Sequence, residues 1–248
     1  MTSLKPPHEY IFFPLDTPNL DYAIRTTKNL NGLIGGVKIG KEFFTALGPA
    51  GVAKIKALGV EIFIDLKFHD IPNTVAGAVR SAVQLKPKIL NVHAQGGRSM
   101  LIAARQSMLE EANKINISPP LILGVTVLTS IGDQDLEEIG INGTSMDQVK
   151  RLASLCQEVG LDGIVCSARE ITNLRTICGS EFKLLTPGIR PTWAPNNDQK
   201  RIVTPSEAIK LGADYLVIGR PIYGADDPVT AAKQIIAEIS EVINLNDD

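Results

Sequence analysis

The chain places a lysine between two carboxylates in one short stretch, Asp65-Leu66-Lys67-Phe68-His69-Asp70. Side chains two apart on a strand point to the same face, so Asp65 and Lys67 should project together. Neighbouring carboxylates hold an ammonium in its charged form, which a proton donor to a developing carbanion needs. The spacing therefore indicates acid–base chemistry at Lys67, and it also fits a solvated ion pair at a strand end.

The elements that must position these residues follow one pattern along the whole chain, a short apolar run and then a longer helical stretch. This alternation is typical of βα units around a parallel sheet. Eight strands are predicted, at Tyr10–Leu15, Gly36–Ile39, Glu61–Lys67, Ile89–His93, Leu121–Val127, Gly163–Cys166, Lys183–Thr186 and Tyr215–Ile218. Apolar residues recurring at three and four predict helices between them, including Leu101–Lys114, Met146–Val159 and Pro228–Ile243. Eight such units predict one α/β domain over residues 1–248, a single (β/α)8 TIM barrel.

In a barrel of this kind the active site lies at the carboxyl ends of the strands. The residues able to do chemistry fall at those ends, namely Asp16, Lys38, Asp65, Lys67, His93, Thr129, Ser130, Arg190 and Arg220. A merely solvated surface would scatter charges over both ends of the barrel. The one-sided distribution therefore favours an active site.

Two loops late in the chain indicate what kind of ligand to expect. Gly188 and Arg190 follow the seventh predicted strand, and Gly219 and Arg220 follow the eighth. Glycine lets backbone N–H groups approach phosphate oxygens closely, and arginine supplies a fork of donors. Because loops after strands seven and eight form a recurrent phosphate site in such barrels, a phosphorylated substrate is predicted.

Composition excludes several other classes of function. A formal net charge of -2 and a pI near 6.0 provide no broad basic surface, so neither nucleic acid nor an anionic membrane is expected as a partner. No run of 18 apolar residues is present, and the N-terminus lacks the apolar core of a signal peptide, which predicts a cytoplasmic protein. Three cysteines without a CxxC and three histidines predict no metal site.

With these residues placed, the chain resembles the orotidine 5'-phosphate decarboxylase family in its short bacterial form. The motifs that carry the resemblance are Asp65-Leu66-Lys67-Phe68-His69-Asp70-Ile71-Pro72-Asn73-Thr74, Asn91-Val92-His93-Ala94, Val127-Leu128-Thr129-Ser130, Thr186-Pro187-Gly188-Ile189-Arg190-Pro191, Asp198-Gln199-Lys200-Arg201 and Ile218-Gly219-Arg220-Pro221-Ile222. The D-x-K-x-x-D element is shared with a wider superfamily. D-I-P-N-T together with T-P-G-I-R-P and D-Q-K-R is specific to the decarboxylases.

The resemblance implies that the chain converts orotidine 5'-monophosphate to uridine 5'-monophosphate, the last step of de novo pyrimidine synthesis, without a cofactor. It implies that Lys67 protonates C6 of the pyrimidine as CO₂ leaves. Asp65 would lie near the departing carboxylate. Lys38 and Asp70 would complete an alternating array of charges with Asp65 and Lys67.

The resemblance also implies the substrate contacts and the assembly. The implied contacts are Asp16 and Lys38 to the ribose, Thr129 and Ser130 to the base, and Arg190, Gln199, Gly219 and Arg220 to the phosphate. Pro187 is implied as a further substrate-binding residue. Asp70, Ile71 and Thr74 would reach into the neighbouring subunit's site, which implies a homodimer with shared sites. Residues Gly188 to Thr204 would form a lid, as a long irregular loop in a compact domain often does.

Two other functions share some of these residues. A magnesium-dependent decarboxylase or aldolase acting on a 3-keto sugar phosphate would keep Asp65, Lys67 and Asp70 but use carboxylates around Mg²⁺. A non-catalytic barrel that binds a nucleotide phosphate is a different class, which the fold alone does not exclude. The lysine between two carboxylates argues against it, because binding a phosphate does not require that array.

Overall fold

The computed structural model describes residues 5–194 and 203–244. Eight strands close into a barrel in chain order, and they are β1 Ile11–Pro14, β2 Gly36–Ile39, β3 Ile62–Phe68, β4 Ile89–His93, β5 Leu121–Val125, β6 Gly163–Val165, β7 Lys183–Pro187 and β8 Tyr215–Val217. The predicted (β/α)8 barrel is confirmed. The assignment of residues 1–248 to one domain stays a prediction.

Helices alternate with the strands. They are α1 Leu20–Leu30, α2 Lys41–Lys56, α3 Pro72–Val83, α4 Gly97–Lys114, α5 Asp133–Glu138, α6 Ser145–Glu158, α7 Ile171–Cys178, α8 Pro205–Leu211, α9 Arg220–Tyr223 and α10 Pro228–Asn244. Short 3-10 turns span Pro7–Tyr10, Ala94–Gly96 and Ala168–Glu170. No helix within residues 5–194 or 203–244 combines the length and apolar character needed to cross a bilayer.

The local sequence explains where these elements begin. The side chain of Asn19 accepts a hydrogen bond from the N–H of Tyr22 at 2.9 Å, which caps the first turn of α1. Thr144 and Asp147 form a reciprocal capping box at the start of α6. Strand residues such as Ile62, Phe63 and Ile64 are all buried, because helices and the barrel interior cover both faces of a parallel strand.

The described residues fall into two compact sets, 5–63 with 186–244 and 64–185. In the first set β1 pairs in parallel with β2, placing Pro14 opposite Lys38, and it pairs with β8 on its other edge. The ring of Phe12 packs edge-on against Tyr215 at 5.7 Å between centroids. In the second set β4 pairs with β5, β5 with β6 and β6 with β7. Each of the two groups of polar residues described below lies within one set.

Candidate active site

The first group, here called the lysine cluster, consists of Asp65, Lys67 and Asn91. Lys67 Nζ donates to Asp65 Oδ1 at 2.5 Å. The expectation that these two side chains project together is met by this contact. The Asp65 carboxylate is buried, and water therefore screens its attraction for the ammonium less than it would at a surface.

Asn91 connects the backbone of Lys67 to the Asp65 carboxylate. The N–H of Lys67 donates to Asn91 Oδ1 at 2.8 Å, and Asn91 Nδ2 donates to Asp65 Oδ1 at 2.7 Å. Lys67 itself has a left-handed backbone, with φ of 53°. Asn91 lies in one of the family motifs, but the sequence alone predicts no role for it. The available signal was an amide in the middle of the apolar strand β4, since a buried amide requires partners.

Asp70 and Ile71 lie on the segment that leads into α3, Thr74 lies in the first turn of that helix, and all three are exposed. Asp70 Oδ1 accepts from the N–H of Ile71 at 2.6 Å. Within the described chain Lys67 forms its ion pair with Asp65 and none with Asp70. Of the two carboxylates expected beside Lys67, the described chain therefore places Asp65 in contact with it but not Asp70. Ile71 is 68% exposed, which is unusual for an isoleucine.

The second group, here called the anion pocket, surrounds a cavity of about 200 Å³. Its lining residues are Pro14, Asp16, Lys38, Gly188, Ile189, Arg190, Val217, Gly219, Arg220, Pro221 and Tyr223. Five residues that the sequence predicted as substrate contacts thus meet at one pocket, and they are Asp16, Lys38, Arg190, Gly219 and Arg220. Pro187 ends β7 immediately before this lining.

Two glycines make room for the side chains of the anion pocket. Lys38 Nζ contacts Asp16 Oδ1 at 3.2 Å, and a Cβ on Gly40 would lie only 2.7 Å from that oxygen and 3.0 Å from the Lys38 nitrogen. A Cβ on Gly219 would lie 2.7 Å from Pro14 Cγ. A larger residue at Gly40 would displace the ends of two flexible side chains, whereas one at Gly219 would meet the rigid ring of Pro14, so the need for glycine is stricter at Gly219.

Arg190 reaches the pocket from the loop after β7. It is 3% exposed, and its backbone N–H donates to the carbonyl of Val203 at 3.1 Å. This bond joins the two ends of the segment expected to be a lid. Residues 195–202 of that segment, among them the predicted phosphate contact Gln199, lie outside the described residues.

The predicted base contacts Thr129 and Ser130 lie in an exposed turn after β5. The N–H of Ile131 closes the turn by donating to the carbonyl of Leu128 at 2.9 Å. In the part of the chain that the structure covers, no three histidine, cysteine, aspartate or glutamate side chains are grouped to hold a metal ion.

Comparison with known proteins gives a consistent result. The model of the Orotidine 5'-phosphate decarboxylase / HUMPS family matches residues 9–235. An orotidine 5'-phosphate decarboxylase from Rhodospirillum rubrum is 53% identical over 230 residues, covering 92% of this chain and 93% of its own. One from Moorella thermoacetica is 51% identical over 233 residues, 94% of this chain and 92% of its own. The crystal structure of orotidine 5'-phosphate decarboxylase from Lactobacillus acidophilus superposes with a TM-score of 0.80 at 34% identity, covering 92% of this chain and 98% of that one.

Proposed function

The chain belongs to the Orotidine 5'-phosphate decarboxylase / HUMPS family, and from that premise we propose how its residues carry out the reaction. The reaction is the decarboxylation of orotidine 5'-monophosphate to uridine 5'-monophosphate in pyrimidine biosynthesis. The observation that carries the proposed mechanism is the buried contact between Lys67 and Asp65.

Lys67 is the proposed proton donor. When the bond between C6 and the carboxylate breaks, its electron pair stays on C6 in an sp² orbital with no adjacent electron sink. The Lys67 ammonium stabilises this charge and then transfers a proton from Nζ to C6, while CO₂ departs. Because Asp65 already holds the ammonium in place, no solvent reorganisation is needed as charge develops, and the transition state is stabilised more than the substrate. Water returns the proton to Lys67 after the product leaves.

Asp65 has two proposed effects. It holds the Lys67 ammonium in place before the reaction, since Lys67 Nζ donates to its carboxylate at 2.5 Å. It also lies near the substrate carboxylate and repels it, and this repulsion is relieved when CO₂ leaves. Lys38 and Asp70 complete the alternating charges in the proposal.

The anion pocket is the proposed phosphate site. Arg190 and Arg220 are the charged donors, and Gly219 offers a backbone that a ligand can approach closely. Gln199 is the proposed further phosphate contact. The remaining proposed contacts are Asp16 and Lys38 to the ribose hydroxyls, Thr129 and Ser130 to the base, and Pro187 beside the lid.

The proposed assembly is a cytoplasmic homodimer with shared active sites. Asp70, Ile71 and Thr74 are exposed on one short segment, and an isoleucine that is 68% exposed beside a carboxylate fits a surface covered by a second copy. In this dimer Asp70 of one chain supplies the second carboxylate beside Lys67 of the other chain.

Turnover of orotidine 5'-monophosphate, followed by ultraviolet absorbance in the presence of EDTA, tests the proposal. Full activity with the chelator is expected. Activity that returns only with added Mg²⁺ would favour the magnesium-dependent relative, and no turnover in either condition would favour a binding protein.

Lys67→Ala tests the proton donor. It should lower kcat by about 10² to 10⁴-fold or more while uridine 5'-monophosphate still binds through the anion pocket. Lys56→Ala is the matched control, because Lys56 pairs with Glu61 at the surface and its loss should leave turnover unchanged. Substantial turnover by the Lys67→Ala variant would remove Lys67 from this role.

A further inference from the structure

Asn91 is the fully buried amide of the lysine cluster, and both ends of its side chain are used. Its oxygen accepts from the backbone N–H of Lys67 at 2.8 Å, and its nitrogen donates to Asp65 Oδ1 at 2.7 Å. Asp65 Oδ1 also accepts from Lys67 Nζ at 2.5 Å. One side chain on β4 thus contacts both the backbone that carries the lysine and the carboxylate that pairs with it.

The backbone of Lys67 is the part of this arrangement that needs support. A φ of 53° places it in the left-handed region, which lysine adopts rarely. Such a conformation persists where surrounding groups determine it, and it is concentrated at functional sites. The bond to Asn91 is a specific contact that fixes the Lys67 N–H at this point of the strand.

The donor end of Asn91 acts on Asp65. An oxygen that accepts from an amide N–H and from an ammonium at once holds its carboxylate in one orientation. The direction of the Asp65 carboxylate then sets where the Lys67 ammonium lies. The two ends of Asn91 therefore act on one quantity, the position of Lys67 Nζ.

We propose that Asn91 is a positioning residue for the proton donor, which fixes the left-handed backbone of Lys67 and the orientation of Asp65 together. This inference rests on the proposed role of Lys67. It predicts that Asn91 affects the chemical step and not substrate binding, because Asn91 is buried behind the two residues that face the reaction. A misplacement of about 1 Å in such a group can lower turnover about 10²-fold.

Two substitutions separate the two ends of the amide. Asn91→Leu removes both bonds at similar volume, whereas Asn91→Asp keeps an oxygen for the Lys67 N–H but loses the N–H that donates to Asp65. Hydrogen exchange at the Lys67 amide, resolved by NMR, should become about tenfold faster in Asn91→Leu and stay near the wild-type rate in Asn91→Asp. Both variants should lose kcat by about tenfold or more, with KM and the Kd of uridine 5'-monophosphate within about threefold of wild type.

Ser107→Ala is the matched control for the loss of a buried hydrogen bond, since Ser107 lies inside α4 and donates to the carbonyl of Ala104 at 3.0 Å. It should lower the melting temperature without a selective loss of kcat.

A folded Asn91→Asp or Asn91→Leu variant with wild-type kcat would overturn the inference, and so would equal losses in kcat and nucleotide binding. If Asn91→Leu does not fold, Asn91→Asp decides alone through its kcat. Wild-type turnover separately reports on the proposed function, and the exchange measurement does not depend on activity.

Discussion

At the scale of single residues, the two lysines of the candidate site are fixed by carboxylates in different surroundings. Lys67 and Lys38 are both mostly covered, with 22% and 11% of their side chains exposed. Their partners differ, because 11% of the Asp65 side chain and 53% of the Asp16 side chain are exposed. The Lys67 pair is thus shielded from water, while the Asp16 carboxylate that pairs with Lys38 remains about half exposed.

Arg220 gives a prediction about the substrate's phosphate. Arg220→Ala should weaken binding of uridine 5'-monophosphate by about 1.5 to 3 kcal/mol, because a charge-assisted hydrogen bond to the phosphate is lost. Binding of uridine, which has no phosphate, should change far less. Both affinities can be measured by calorimetry or by competition against turnover.

Arg98→Ala is a suitable control for Arg220→Ala, since Arg98 pairs with Glu158 at the surface. It should change neither affinity. Equal losses for nucleotide and nucleoside in Arg220→Ala would show that Arg220 does not contact the phosphate.

Tyr215 gives a prediction about pH. Burial, and then the charges of Asp214 and Glu9 and the neighbouring Tyr10, raise the pKa of Tyr215 from 10.0 to about 12. The unfolded chain therefore releases this proton first, so stability that is present below pH 10.0 is lost as the pH rises towards about 12. Urea unfolding at a series of pH values should show this loss, and Tyr215→Phe should reduce it. An identical decline in the variant would mean that other groups cause it.

Single residues also show how far sequence alone reaches. The spacing of Asp65 and Lys67 predicted their contact, and the barrel rule predicted that Arg190 and Arg220 would meet at one pocket. Neither the left-handed backbone of Lys67 nor the role of Asn91 followed from the sequence. Residue periodicity reports which face a side chain occupies, whereas backbone handedness and the pairing of buried amides depend on tertiary contacts.

At the scale of elements, strand ends are set by local hydrogen bonding that apolar patterns do not report. The bounds of β2 and β4 were predicted to the residue. β5 was predicted to reach Val127 but ends at Val125. Thr126 still donates to the carbonyl of Val165, from its hydroxyl at 3.0 Å and from its N–H at 3.4 Å, and the chain leaves the ladder after it. An apolar run therefore locates a strand but not its last residue.

Helix α2 contains a break that gives a stability prediction. Gly48 has φ of 56° and ψ of -164°, and Pro49 follows it, so two helical pieces meet there. This backbone region is accessible almost only to glycine. Gly48→Ala should therefore lower the free energy of unfolding by about 1 to 3 kcal/mol, measured by urea titration.

Gly77→Ala is the matched control, because Gly77 lies inside α3 and a Cβ there meets nothing within 4 Å. It should raise the free energy of unfolding by up to about 1 kcal/mol, since alanine favours the helix more than glycine does. A destabilised Gly77→Ala together with an unchanged Gly48→Ala would contradict the account of α2.

At the scale of the whole molecule, the proposed shared site makes activity a property of two chains. In an isologous dimer each active site takes Lys67 from one chain and Asp70 from the other. A dimer of one Lys67→Ala chain and one Asp70→Ala chain then has one site with both defects and one intact site.

Refolding equal amounts of the two inactive variants together should restore about a quarter of wild-type activity, because about half the dimers are mixed and each has one intact site of two. Native mass spectrometry measures the mixed dimers, and each variant refolded alone is the control. Mixed dimers without activity would place Asp70 in the site of its own chain.

The pairing of β1 with β8, with Ile11 opposite Leu216 and Phe12 opposite Val217, also has a consequence for protein synthesis. One edge of β1 stays unpaired until β8, about 200 residues further along the chain, has been translated, which takes about 10 to 40 s. Ile11, Phe12 and Phe13 are all buried in the folded protein, so the strand with the free edge is strongly apolar. An apolar strand with a free edge readily pairs with another chain. Until β8 has been synthesised, β1 is therefore a segment that a holdase chaperone can bind.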